Sequence, residues 1–106
     1  MNKVMTLNLE QGMPTVADAI RRMESELTAL KRRGCRAVIL IHGYGSTGTG
    51  GRIRAAVRSR LARADLRVIV RTSAGGEEWA TRKGELISAC GALSAHRKQI
   101  EGNEGV

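Results

Sequence analysis

The stretch Ile41-His42-Gly43-Tyr44-Gly45-Ser46-Thr47-Gly48-Thr49-Gly50-Gly51-Arg52-Ile53-Arg54 sets a histidine, a glycine-rich loop and the first arginines of a basic run side by side. An imidazole can take or give a proton near neutral pH. Glycines let backbone N–H groups face an anion, and an arginine fork binds two oxygens of one phosphate. These types suit chemistry on a phosphodiester. His42 is the candidate acid or base, and Glu10 the candidate carboxylate beside it, if the strands that carry them are parallel neighbours. The candidate phosphate contacts are Gly43, Tyr44, Gly45, Ser46, Thr47, Gly48, Gly50, Gly51, Arg52, Arg54 and Arg58.

The loop admits several readings. Gly43-Tyr44-Gly45-Ser46-Thr47-Gly48 is a G-x-G-x-x-G pattern between an apolar run and a helical pattern, as in dinucleotide-binding folds. That reading needs an acid at the end of the next strand to hold a ribose, and Arg71 stands there. A Walker-type loop needs Lys-Ser/Thr after its last glycine, and Gly51-Arg52-Ile53 stands there instead. A third reading needs only loop amides at a helix N-terminus, extended by Arg52, Arg54 and Arg58, which suits a phosphate backbone. The plain alternative is a tight turn with no ligand, and a histidine at a strand end that bonds a loop carbonyl.

Charge favours a phosphate-rich partner. The chain carries 18 Lys and Arg against 10 Asp and Glu, a net +8. Between Arg52 and Arg71 stand Arg52, Arg54, Arg58, Arg60, Arg63, Arg67 and Arg71, with Asp65 the one acid among them. Such a stripe is the electrostatic footprint of DNA or RNA binding; its rival is a solvated helix face in a protein that prefers arginine to lysine. Tyr44 and Trp79 are the only aromatic residues, too few for base-by-base stacking on a sheet. Backbone-directed or structure-directed binding follows, with Trp79 reading as a hydrophobic plug for the C-terminal segment.

Positioning these residues requires an α/β architecture. Val4 to Glu10 reads as a short strand. Thr15 is an N-cap, with Asp18 completing the cap, and Val16, Ile20, Met23, Leu27 and Leu30 recur on one stripe of a helix ending at Gly34. Arg36 to Ile41 is a β-branched run typical of a central strand. A second helix starts near Gly51 and buries Ile53, Val57 and Leu61, and Leu66 to Val70 reads as a third strand. Two strand–helix units in succession predict parallel strands with helices packed on the sheet. Residues 77–101 read as one or two short helices. The whole of 1–106 reads as one domain.

Cys35 and Cys90 are 55 positions apart and form neither a metal-type pair nor a disulfide framework. No metal ligand set and no cofactor are expected. The apolar runs are too short to span a bilayer, and the first residues lack a signal-peptide pattern, so a cytoplasmic protein with no membrane contact is expected.

Val38-Ile39-Leu40-Ile41-His42-Gly43-Tyr44-Gly45, followed by Gly50-Gly51-Arg52-Ile53-Arg54-Ala55-Ala56-Val57-Arg58, resembles the small MutS-related (Smr) domain. Its hallmark is an apolar strand running into His-Gly-x-Gly, then a loop and a basic helix. The resemblance covers residues 4–70 and implies a two-layer α/β sandwich, a βαβαβ mixed sheet with one more strand to follow. It further implies nucleic-acid binding, with nicking or RNA endonuclease activity in some members. Carried over by position, His42, Gly43 and Gly45 match the core motif, and Arg52 and its helix match the basic flank. Where the family commonly has Leu-Asp-Leu-His, this chain has Leu7-Asn8-Leu9-Glu10, so the acid and the histidine are both replaced. Residues 77–106 resemble a longer variant with a helical insertion, whose last strand would follow Asn103-Glu104-Gly105-Val106. A sheet lacking that strand has an open edge, which predicts a homodimer through it. The rival expectation is a protein-interaction module whose glycine loop is purely structural.

Overall fold

A computed structural model of the chain describes residues 3–43 and 50–106. Two strands, β1 (Val4–Asn8) and β2 (Ala37–Ile41), pair in parallel with Val4 opposite Ala37 and Asn8 opposite Ile41. Leu9 extends the ladder by donating its N–H to the Ile41 carbonyl at 2.8 Å. Between them runs α1 (Val16–Arg32), whose start the sequence predicts: the Asp18 N–H donates to Thr15 Oγ1 at 3.1 Å. Gly34, at φ +87°, lets the chain turn out of the helix and into β2. The apolar stripe of α1 is realised, with Met23, Leu27 and Leu30 buried and Val16 and Ile20 packed beside them.

The period-2 alternation of β2 divides the core in two. Val38 and Leu40 face a cluster of Leu7, Leu9, Ala19, Met23, Leu27, Ile53 and Val57, which joins the sheet to α1 and to α2 (Gly50–Leu61). Ala37 and Ile39 face the other way, toward Val4, Trp79, Cys90, Leu93 and Ile100. That second cluster draws on α3 (Trp79–Ala89), a 3-10 turn (Gly91–His96) and α4 (Arg97–Ile100), the helices expected over 77–101. Helices therefore cover both faces of the sheet, where a two-layer sandwich was the expectation. Trp79, 2% exposed, is the plug that its position suggested.

The third strand is the main correction. Ala64–Val68 forms a 3-10 helix, and the N–H groups of Ile69 and Val70 both donate to the Leu66 carbonyl at 2.9 Å. Tertiary ties outweigh the β-branched composition here. Arg60 grips Asp65 through both guanidinium nitrogens, at 3.0 and 3.1 Å, and Glu24 of α1 at 2.7 Å. Lys31 takes the Val68 carbonyl, a group a ladder would need. Among the described residues the sheet has two strands, so β2 keeps a free edge. No helix among them is long and apolar enough to cross a membrane.

Candidate functional site

β2 delivers His42 to the carboxyl end of the sheet, where the residue is 3% exposed. Its Nδ1 lies 2.9 Å from the Gly43 carbonyl. A carbonyl only accepts, so Nδ1 carries the proton and donates it, and Nε2 is the unprotonated nitrogen. Burial is the main reason that His42 titrates below the ordinary histidine value of 6.5, and the neighbouring charges of Arg58 and Arg54 push the same way. The imidazole is therefore neutral at pH 7, which is the base form. The backbone around it is fixed as well: the N–H groups of His42 and Gly43 both donate to the Gly105 carbonyl, at 2.9 and 3.1 Å.

Glu10, two residues past β1, sets its carboxylate against Gly43, the residue after His42. Gly43 sits at φ +81°, and a side chain there would run into the Glu10 carboxylate. The left-handed backbone calls for glycine at 43, while the Glu10 carboxylate lies at the end of an exposed side chain that can turn aside. Glu10 is exposed and packs on Gly43, making no hydrogen bond to the His42 ring among the described contacts. Of the predicted phosphate contacts, Tyr44, Gly45, Ser46, Thr47 and Gly48 lie outside the described residues. Gly50 and Gly51 open α2, and Arg52 projects from its first turn, exposed.

Arg54 and Arg58 follow on α2, and here the structure adds a residue that the sequence reading passed over. Glu77, in the 3-10 turn Gly76–Glu78, receives both terminal nitrogens of Arg58, the second at 2.9 Å. Arg54 Nη2 stands 3.9 Å from the same carboxylate. The Arg58 hydrogen bonds pull Glu77 down to about 2, so it remains ionised at any physiological pH. The Nε atoms of Arg54 and Arg58 are shut off from solvent and have no acceptor among the described residues. The pair Glu77-Glu78 was the available signal: after Asp65 these are the next acids along the chain from the arginine stripe.

The remaining arginines divide by role. Arg60 is engaged with Glu24 and Asp65, and Arg63 stands 3.6 Å from Asp65. Arg52, Arg67 and Arg71 are exposed and make no ion pair among the described residues. Along the free edge of β2 opens a cleft of about 820 Å³, whose lining includes Leu40, His42, Arg58, Arg71, Thr72 and Trp79. It runs where the expected third strand would have paired. Among the described residues no group of three or more His, Cys, Asp or Glu could hold a metal ion.

A family model, the Smr domain, matches residues 8–82. No curated protein and no solved structure matches the chain.

Proposed function

The chain belongs to the Smr-domain family, and from that premise we propose that it binds structured DNA or RNA through the arginine face of α2 and acts on a phosphodiester at His42. The Smr domain is associated with nucleic-acid binding and endonuclease activity. The observation that carries the reading here is a buried imidazole, its Nδ1 on the Gly43 carbonyl and its pKa lowered, lining a cleft with Arg58 and with Arg54 nearby. In cleavage, Nε2 takes the proton from the attacking oxygen as that oxygen adds to phosphorus, and the bond to the leaving oxygen breaks. The arginines offset the negative charge that builds on the phosphoryl oxygens. Glu10, set against Gly43, is a positioning residue for the loop that follows.

Anisotropy titrations of labelled duplex DNA, branched DNA and hairpin RNA test the binding. Wild type should bind saturably, and Arg52→Ala/Arg54→Ala/Arg58→Ala should lose binding by orders of magnitude at about 100 mM salt. Denaturing gels of the same samples test the chemistry: His42→Ala should abolish cleavage while affinity stays within a few-fold. Cleavage that survives in His42→Ala removes the histidine from the mechanism. The free edge of β2 favours one other reading, an interaction module that recruits a protein strand. That reading calls for weak, non-saturating nucleic-acid binding and equal behaviour of the arginine variant.

A further inference from the structure

We propose that Glu77 is a built-in competitor for the phosphate site: its carboxylate occupies the fork of Arg58 beside Arg54, and a phosphate must displace it to bind there. This rests on the reading of α2 as an anion-binding face. Three observations support it. The two oxygens of Glu77 meet Arg58 in the fork-to-fork manner that a phosphate's oxygens would use, with Arg54 alongside. The pair is reached across 19 positions of chain, and Gly75 leaves room for the Glu77 carboxylate and the Arg58 guanidinium to meet beside it. The turn is braced from outside the pair: the Gly75 N–H donates to Glu78 Oε1 at 2.8 Å, and the Gly76 N–H donates to the Val106 carbonyl at 3.0 Å.

The third observation says why a phosphate can win. Among the described residues the Nε donors of Arg54 and Arg58 have no acceptor beside the Glu77 carboxylate. A backbone phosphodiester carries one charge and two free oxygens, as the carboxylate does, so its advantage lies in the neighbouring phosphates of the strand, which bring further anions within reach of the same helix. The pair is also about one-third exposed on both sides, so water and salt weaken it and displacement is cheap. A single free phosphate gains little over the carboxylate, whereas a backbone that also reaches Arg52 gains several contacts at once. Glu77 thus sets a threshold that favours polyanions over small anions.

The test compares wild type, Glu77→Gln, Glu77→Asp and Glu26→Gln, the last removing the same charge from the exposed face of α1. Each protein is titrated into labelled duplex DNA and hairpin RNA, and calorimetry with inorganic pyrophosphate probes the anion site without nucleic acid. Glu77→Gln should tighten nucleic-acid binding about fivefold and steepen its salt dependence by roughly one to two phosphate contacts. Pyrophosphate should bind measurably to Glu77→Gln and not to wild type. Glu77→Asp, with a shorter reach, should fall between, and it keeps the test intact if the glutamine variant unfolds. Placing Glu77→Gln on Arg54→Ala/Arg58→Ala should remove the gain. If wild type binds nucleic acid and Glu77→Gln matches it or matches Glu26→Gln, the competitor role fails while the binding face stands. If nucleic acid binds to neither protein but pyrophosphate binds to Glu77→Gln through the two arginines, the nucleic-acid reading fails and the masked anion site stands.

Discussion

At the residue scale the proposed chemistry depends on one imidazole and its protonation state. His42 is buried, its Nδ1 proton is held by the Gly43 carbonyl, and desolvation keeps its pKa under 6.5. A group whose pKa is lowered by folding binds its proton more readily in the unfolded chain. The stability that comes from keeping His42 neutral is thus complete above about pH 7 and is lost as pH falls through 6.5 toward the folded-state value. Chemical denaturation at about pH 7.5 and about pH 5.5 should show wild type losing more unfolding free energy than His42→Gln. Equal losses in the two proteins would mean that His42 is not held neutral by the fold. At the same scale Glu10 closes on Gly43, the residue after His42.

At the element scale the proposal gives α2 two jobs, with its arginines divided between them. Arg60 staples α2 to Glu24 on α1 and to Asp65 on the 3-10 turn, while Arg52, Arg54 and Arg58 lie nearer the helix start and the site. Arg60→Ala should lower the thermal midpoint yet change nucleic-acid affinity by less than about twofold, because Arg60 is already engaged. Arg52→Ala should do the reverse; a large affinity loss in Arg60→Ala would put the staple in the interface. The helices and β2 were legible in the sequence because their signals are local. The Thr15 cap, the Val16-to-Leu30 stripe and the β-branched Ala37–Ile41 run each specify their element within a few residues. Leu66–Val70 carries an equally strand-like composition, but Arg60, Lys31 and Glu24 hold it in a 3-10 turn from elsewhere in the chain. The Arg58–Glu77 pair was illegible for the same reason. No periodicity links α2 to a turn beyond the Gly75-Gly76 corner, whereas the nearness of Glu10 to Gly43 followed from parallel pairing alone.

At the scale of the whole molecule, a +8 chain presents much of its charge from one run of arginines, part of it masked from within. Helices cover both faces of a two-stranded sheet, and the cleft left along the β2 edge brings His42, Arg58 and Arg71 to one opening. The open edge also leaves the expectation of a homodimer standing as a proposal, since a strand edge can pair with another chain. Binding by such a surface is an exchange of counterions for arginines, and salt reports it directly. The measurement that tests this account most directly is therefore the affinity of wild type for a labelled hairpin RNA and a labelled duplex DNA from about 50 to about 200 mM salt. The expected result is a linear fall of log affinity with log salt, steep enough to count several phosphates, and shallower in Arg52→Ala/Arg54→Ala/Arg58→Ala. An affinity that does not respond to salt, or a slope that the arginine variant leaves unchanged, would contradict it.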